Sequence, residues 1–409
     1  MTEQRFARGA WILLDWAASG FSTVLITLVV AYVERIVFPG GGWGFEAGVI
    51  WAWTLAAAML AAAVLAPWAA AWADRRDAHQ RALVAATAVG VGGLLALAAV
   101  PSAVASAVLV AVVTASVGFD LAQVFTGSLL PRIADHDADR LSARGFAAGY
   151  AGGAIALILA TAIVTAHGRL GLDVGGGLRL AFAVTAAWWL IFSLPATIAR
   201  FGTDAGAGHA PSSGRELFAF AGRLVTGGDD GSHLAAVLFG SMLALGAVQT
   251  GIAQFTSLAM QRFNLDGPAL VRLVLLVQAI ALPGALLIGW MSTRFGRRLA
   301  AAVCLGGWLA VLALGCLVQT PAQLFWLAGL LALVLGGIQS LLRATVAVLA
   351  PPGRSGVTFG LLQVGTKLAG CAAGVAFGGL QVVSGEPRTG LIALAAQIAI
   401  AWWLLRRMP

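Results

Sequence analysis

Four ionisable residues stand inside long apolar runs: Asp15, Asp120, Arg343 and Lys367. A charge placed in bilayer hydrocarbon costs at least about 2.5–3.5 kcal/mol on insertion scales, so it faces a partner or a polar cavity. Two are negative and two positive, which suggests pairing. A desolvated carboxylate is a candidate proton carrier. Lys367 is the only lysine, against 24 arginines. A buried lysine can exchange a proton where an arginine cannot, so Lys367 either binds a solute carboxylate, takes part in proton coupling, or is simply fixed by one carboxylate or by helix carbonyls. Asp15 lies four residues before Ser19, with Ser22 three further on and Thr23 and Thr27 beyond. That spacing makes a polar stripe on one helix face, suited to a cavity wall, although a structural hydrogen bond for Asp15 is a rival reading. Amides accompany the charges: Gln123 follows Asp120, Gln249 adjoins Thr250, Gln339 precedes Arg343 and Gln363 precedes Lys367. Singly, each reads as an interhelical hydrogen bond. Together they describe a polar lumen that favours a small polar or zwitterionic solute over a hydrophobic drug.

Other chemistries find no residues. The five histidines are isolated, and Cys304, Cys316 and Cys371 all fall in apolar runs, so neither a metal site nor a disulfide framework is expected. No phosphate-cradling Gly-Lys-Ser/Thr loop is present, so ATP is not expected to drive the protein, and no cofactor is implied. No nucleophile and base recur at usable spacing; an enzyme is not expected.

These residues must be positioned by membrane helices. The 409 residues are 60% hydrophobic and 10% charged, against roughly 25% charged in soluble domains. Apolar runs near 10–33, 47–72, 81–100, 102–129, 144–166, 179–200, 233–258, 269–292, 298–319, 322–348, 357–382 and 388–406 predict twelve spanning helices. The net charge of +8 comes from arginines scattered between the runs, with no stripe for nucleic acid. With both termini placed in the cytoplasm, cytoplasmic segments hold 17 Lys+Arg and the opposite loops 6; the basic bias sets that orientation. The first run retains Asp15 and lacks a small-residue cleavage site, so it is expected to stay as a helix. Trp11, Trp43, Trp402 and Trp403 read as interfacial anchors, and Trp188 and Trp189 as packing. The chain divides into a six-helix bundle at 1–200, a linker at 201–232 and a second bundle at 233–409. Within the linker, Ser213 and Glu216 have capping-box spacing and predict a short interfacial helix.

The halves repeat. Pro101 and Pro131 flank the fourth run, Pro321 and Pro351 the tenth, each pair 30 residues apart. The loop after the second run, AWADRR (71–76), aligns with GWMSTRFGRR (289–298), which sets Asp74 and Arg75 opposite Thr293 and Arg294. The repeat and this loop resemble the major facilitator superfamily and its G-x-x-x-D-R-x-G-R-R signature; membrane orientation alone is the plainer use for the loop. The resemblance implies an all-α membrane protein with two pseudo-symmetric six-helix bundles and a site near the midplane between them. It also implies a cytoplasmic gate at Asp74, Arg75, Arg294, Arg297 and Arg298. In that fold the fourth and tenth helices face each other. Asp120 lies 19 residues after Pro101 and Arg343 lies 22 after Pro321, so an Asp120–Arg343 pair between the halves is expected, unless each charge is satisfied within its own half.

A closer resemblance covers the chain. WILLDWAASGFSTVLIT (11–27), LAPWAAAWADR (65–75), VFTGSLLPRIA (124–134), RLSARGFAAGYAGG (140–153), WWLIFSLP (188–195), GGIQSLLRA (336–344) and Phe359-Gly360 with Lys367 are similar to the branch containing the fungal vacuolar amino-acid effluxer and its bacterial relatives. The branch usually has Asn where Ala18 and Gly127 stand. It usually has an acidic residue before Val248-Gln249-Thr250 and another near Val357; both are apolar here. That leaves Asp15, then Asp120, as the candidates for proton coupling. The resemblance implies a monomeric, multi-pass transporter of the bacterial inner membrane, with a small solute and protons as its partners and efflux as one direction. The alternative is a non-transporting partner or delivery factor on the same scaffold.

Overall fold

The computed structural model describes residues 2–134, 136–203, 216, 222, 232–263, 267–386 and 388–408. The expected linker helix at 201–232 therefore falls almost wholly outside the described residues. Among the described residues, twelve long helices run through the molecule: α1 (Glu3–Val37), α2 (Ala47–Arg76), α3 (His79–Ala99), α4 (Ala105–Ile133), α5 (Ala138–Thr165), α6 (Val174–Ser193), α7 (Ser232–Phe263), α8 (Gly267–Phe295), α9 (Arg297–Gly315), α10 (Pro321–Leu349), α11 (Ser355–Ser384) and α12 (Gly390–Leu405). Among the described residues, eleven helices are long and apolar enough to cross a membrane; α12, with 16 residues, is shorter but apolar. The chain is a multi-pass membrane protein with the all-α architecture that its apolar runs predict.

Local sequence explains the helix ends. Asp173 caps α6 by accepting from the Gly176 amide at 2.8 Å. Thr320 and Gln323 form a reciprocal capping box on α10, with Pro321 at the first helical position. Asp77, at φ 49°, and Gly385, at φ 71°, end α2 and α11 in the left-handed region. Helix α1 carries two π-helical turns, Leu25–Val29 and Val33–Val37. Several helices outrun their apolar stretch: α5 begins at Ala138 rather than 144, and α1 near residue 3 rather than 10. Apolarity marks the hydrocarbon layer, whereas helical hydrogen bonding continues beyond it.

Packing repeats between the halves. In the first, α1 packs on α5 and α6 and α3 on α4; in the second, α7 packs on α11 and α12 and α9 on α10. Across the halves, α5 meets α8 and α10, while α11 meets α2 and α4. Both termini lie at one end of the bundle, here termed basal. There Arg8 holds Asp137 at 2.7 Å and Arg298 donates to the Met408 carbonyl. Small residues let the helices approach closely. A methyl group built on Gly152 of α5 would overlap the Trp16 carbonyl of α1, and one on Gly118 of α4 would overlap the backbone of Gly90 in α3. Gly92 faces open space. Gly152→Leu is therefore expected to lose about 1–3 kcal/mol or more to overpacking, seen as a lower unfolding midpoint in detergent. Gly92→Ala is expected to leave the midpoint unchanged.

Candidate functional site

The two halves are stitched together by acidic groups of the first and positive groups of the second, in tiers rising from the basal surface. Asp139, in the first turn of α5, receives Arg297 of α9 at 2.9–3.1 Å. Nearby, the buried Asp74 near the end of α2 accepts the Gly356 and Val357 amides at 2.8 and 2.7 Å. These amides open α11, where a helix leaves N–H groups unsatisfied and its dipole favours an anion. His79 steadies Asp74, with Nε2 2.9 Å from Oδ1 and Nδ1 2.8 Å from Ser128 Oγ. Both His79 and Ser128 are fully buried.

The next tier is Arg343 of α10. Its Nη1 and Nη2 donate to the two oxygens of Asp15 at 2.9 and 2.7 Å. Its Nε donates to Ser142 Oγ at 3.0 Å, and Nη2 also reaches the Ser142 carbonyl at 3.1 Å. The guanidinium carbon lies over the rings of Trp11 and Phe146, 4.6 and 4.2 Å from their centroids. Ser142 Oγ in turn donates to the Ser340 carbonyl at 2.8 Å.

At mid-depth, Lys367 of α11 approaches Asp120 of α4 at 3.1 Å, and Gln363 donates to the same oxygen at 2.9 Å. Asp120 lies 13 residues from the basal end of α4 and Lys367 lies 12 from that of α11, so their depths match. The uppermost bond of the set joins Gln278 of α8 to Thr23 of α1 at 3.1 Å.

All four helix-embedded charges are thus paired between the halves, but not as their spacing suggested. The expected Asp120–Arg343 pair is not formed. Pro101 precedes α4 by four residues, whereas Pro321 is the first residue of α10. Arg343 is therefore seven residues nearer the basal end than Asp120, about 10 Å along a helix, and it meets Asp15 instead. Trp11 is not an interfacial anchor either. It is fully buried, and its Nε1 donates to the Thr126 carbonyl at 2.7 Å. Trp189 is packed against Phe21, and Trp188 against Trp16.

The remaining candidates take varied places. Gln363 joins a cross-half cluster, Ser19 is half-buried against Gly149, and Gln123 is half-buried one turn from Asp120. Gln339 donates weakly to its own helix at Leu335, and Gln249 is exposed on α7. Of the gate residues, Asp74 and Arg297 reach the opposite half. Arg298 bonds within its own half, Arg294 lies over the neighbouring Phe295 ring, and Arg75 sits in the last turn of α2. Asp139, Ser142, Phe146, His79 and Gln278 are members that sequence reasoning missed. Asp139 and Ser142 lie before the apolar stretch of α5 and read as loop. Apart from these tiers, an apolar groove lies between α3 and α4, lined by Val89, Ala96, Val110 and Thr114.

Comparisons with known proteins give a consistent picture. The profile of the family described as "Vacuole effluxer Atg22 like" matches residues 34–409. An uncharacterized MFS-type transporter, YxiO of Bacillus subtilis, is 24% identical over 99% of this chain and 96% of its own. Autophagy-related protein 22 of Cryptococcus neoformans is 25% identical over 66% of this chain and 52% of its own. Among solved structures, the major facilitator transporter FucP in its outward conformation superposes with a TM-score of 0.76 at 12% identity, covering 99% of both chains.

Removing one partner of a buried ion pair costs about 3–5 kcal/mol, because the other charge is stranded. Asp120→Asn is expected to destabilise the folded protein on that scale. Asp120→Asn with Lys367→Met is expected to recover most of the loss. Unfolding midpoints of the single and double variants check it.

Proposed function

The chain belongs to the Atg22-like vacuole effluxer family of the major facilitator superfamily, and from that premise we propose that it is a secondary transporter of a small polar or zwitterionic solute, of the amino-acid type, working by alternating access. The observation that carries this reading is the distribution of the cross-half bonds. Those described above run from Asp139–Arg297 near the basal surface, through Asp120–Lys367 at mid-depth, to Gln278–Thr23 just above it. Halves joined in this way at one end and parted at the other would present their mid-depth residues to the distal side. Breaking the basal bonds would expose the same residues from below.

The 17-to-6 distribution of basic residues supports a cytoplasmic basal end, in the inner membrane of a bacterium. The solute would meet Asp120, Gln363 and Lys367 at mid-depth. A carboxylate and an ammonium 3.1 Å apart offer complementary partners to a zwitterion, whose own ammonium and carboxylate would replace them in turn. That exchange compensates both protein charges when the halves part, so the binding energy is spent on the conformational change. Asp15 and Asp120 are the groups through which protons would couple. The family description as an effluxer supports export as the direction. One chain supplies both halves of the site, and a monomer is the working unit.

The test is solute flux in proteoliposomes with a panel of amino acids, with and without an imposed proton gradient. Gradient-dependent flux that falls to background in Lys367→Met is the expected outcome. Silence across the panel from folded protein would turn the reading toward a non-transporting membrane partner.

A further inference from the structure

Arg343 is the charge that the second half contributes to a pocket whose acid, hydroxyl and rings come from the first. Asp15 and Trp11 come from α1; Ser142, Gly145 and Phe146 come from α5. The pocket matches a guanidinium group in three respects. The Asp15 carboxylate accepts two parallel bonds at 2.9 and 2.7 Å, the Ser142 hydroxyl and carbonyl accept two more, and the rings of Trp11 and Phe146 lie against the guanidinium carbon. A flat, forked cation satisfies all of these at once, and a spherical ammonium does not. The space is kept by Gly145. A methyl group there would lie 2.8 Å from the Arg343 Nη2 and would overlap Asp15 Oδ2. The shape is also set from within the first half, since Trp11 is held by its bond to the Thr126 carbonyl in α4 and Gly149 and Gly152 press α5 against α1.

We propose that this pocket is a guanidinium receptor in its own right. Arg343 fills it while the basal end is closed, and a solute bearing a guanidinium group fills it when the halves part. The second clause rests on the alternating-access reading; the first does not. Asp15 is only 5% exposed, so withdrawal of Arg343 would strand a carboxylate among aromatic rings. A guanidinium solute entering from the basal side removes that penalty and favours the parted state by mass action.

Arg343→Ala empties the receptor without altering any group that forms it. Purified in detergent, this variant is expected to show a saturable rise in its thermal unfolding midpoint with methylguanidinium chloride, beyond any rise with the same concentration of sodium chloride. The rise is expected to vanish when Gly145→Ala or Asp15→Asn is added. A response equal to that of sodium chloride, or one that persists in both double variants, overturns the receptor. Should Arg343→Ala fail to accumulate, the wild-type framework carries the test through Ala143→Cys, a position packed against Gly289 across the halves. Methylguanidinium is then expected to speed alkylation of that cysteine, and no acceleration over sodium chloride overturns the proposal. Midpoint rescue needs no solute flux, so a silent flux assay leaves the receptor standing, and a failed rescue leaves the transporter reading standing.

Discussion

A charge cannot remain alone in hydrocarbon, and the junction between the halves is arranged around that constraint. Each of the four helix-embedded charges finds its counter-charge in the opposite bundle: Asp15 with Arg343, and Asp120 with Lys367. Had these charges been neutralised within one bundle, the halves could separate without electrostatic cost. Because they are neutralised between bundles, the contact between halves is where the charges are stable. Any separation must supply replacements from water, protons or a solute.

The pairs differ in kind. Arg343 has four of its N–H bonds satisfied and aromatic rings against it. That geometry is rigid and demanding. Lys367 is a compact charge on a flexible stem, beside one carboxylate oxygen that it shares with Gln363. The lower pair resembles a fitted joint and the upper one an adjustable contact. Beneath both lies Asp74. It is met by the amides that open α11, so that junction involves backbone, and it needs Gly356, where a methyl group would press on the Asp74 carboxylate.

Much of this was legible in the sequence, and the failures have identifiable causes. Twelve apolar runs gave twelve helices, and the neutral sum of intramembrane charges pointed to pairing. The partners were misassigned because depth was counted from prolines that stand differently at the starts of α4 and α10. Trp11 was misplaced because α1 begins well before its apolar stretch, so a tryptophan near the chain start lies more than two turns inside the helix. Asp139 and Ser142 escaped notice for the same reason at the start of α5. Hydropathy locates the bilayer, whereas the basal stitching is done by helical turns that project beyond it. The role of His79 left no trace in spacing, since it depends on α3 turning back against α2 and α4.

Every acid named in the cross-half tiers belongs to the first bundle, and every cation or helix start that answers it belongs to the second. The sequence carries the same division: of 17 Asp and Glu residues, only Asp266 and Glu386 follow position 232. The division makes the two bundles non-interchangeable in assembly. Two first bundles brought face to face would oppose carboxylate to carboxylate, and two second bundles would oppose cation to cation. Internal duplication gives the bundles matching shapes, and so the geometric means to mispair with copies from another chain; the segregated charge removes the energetic incentive.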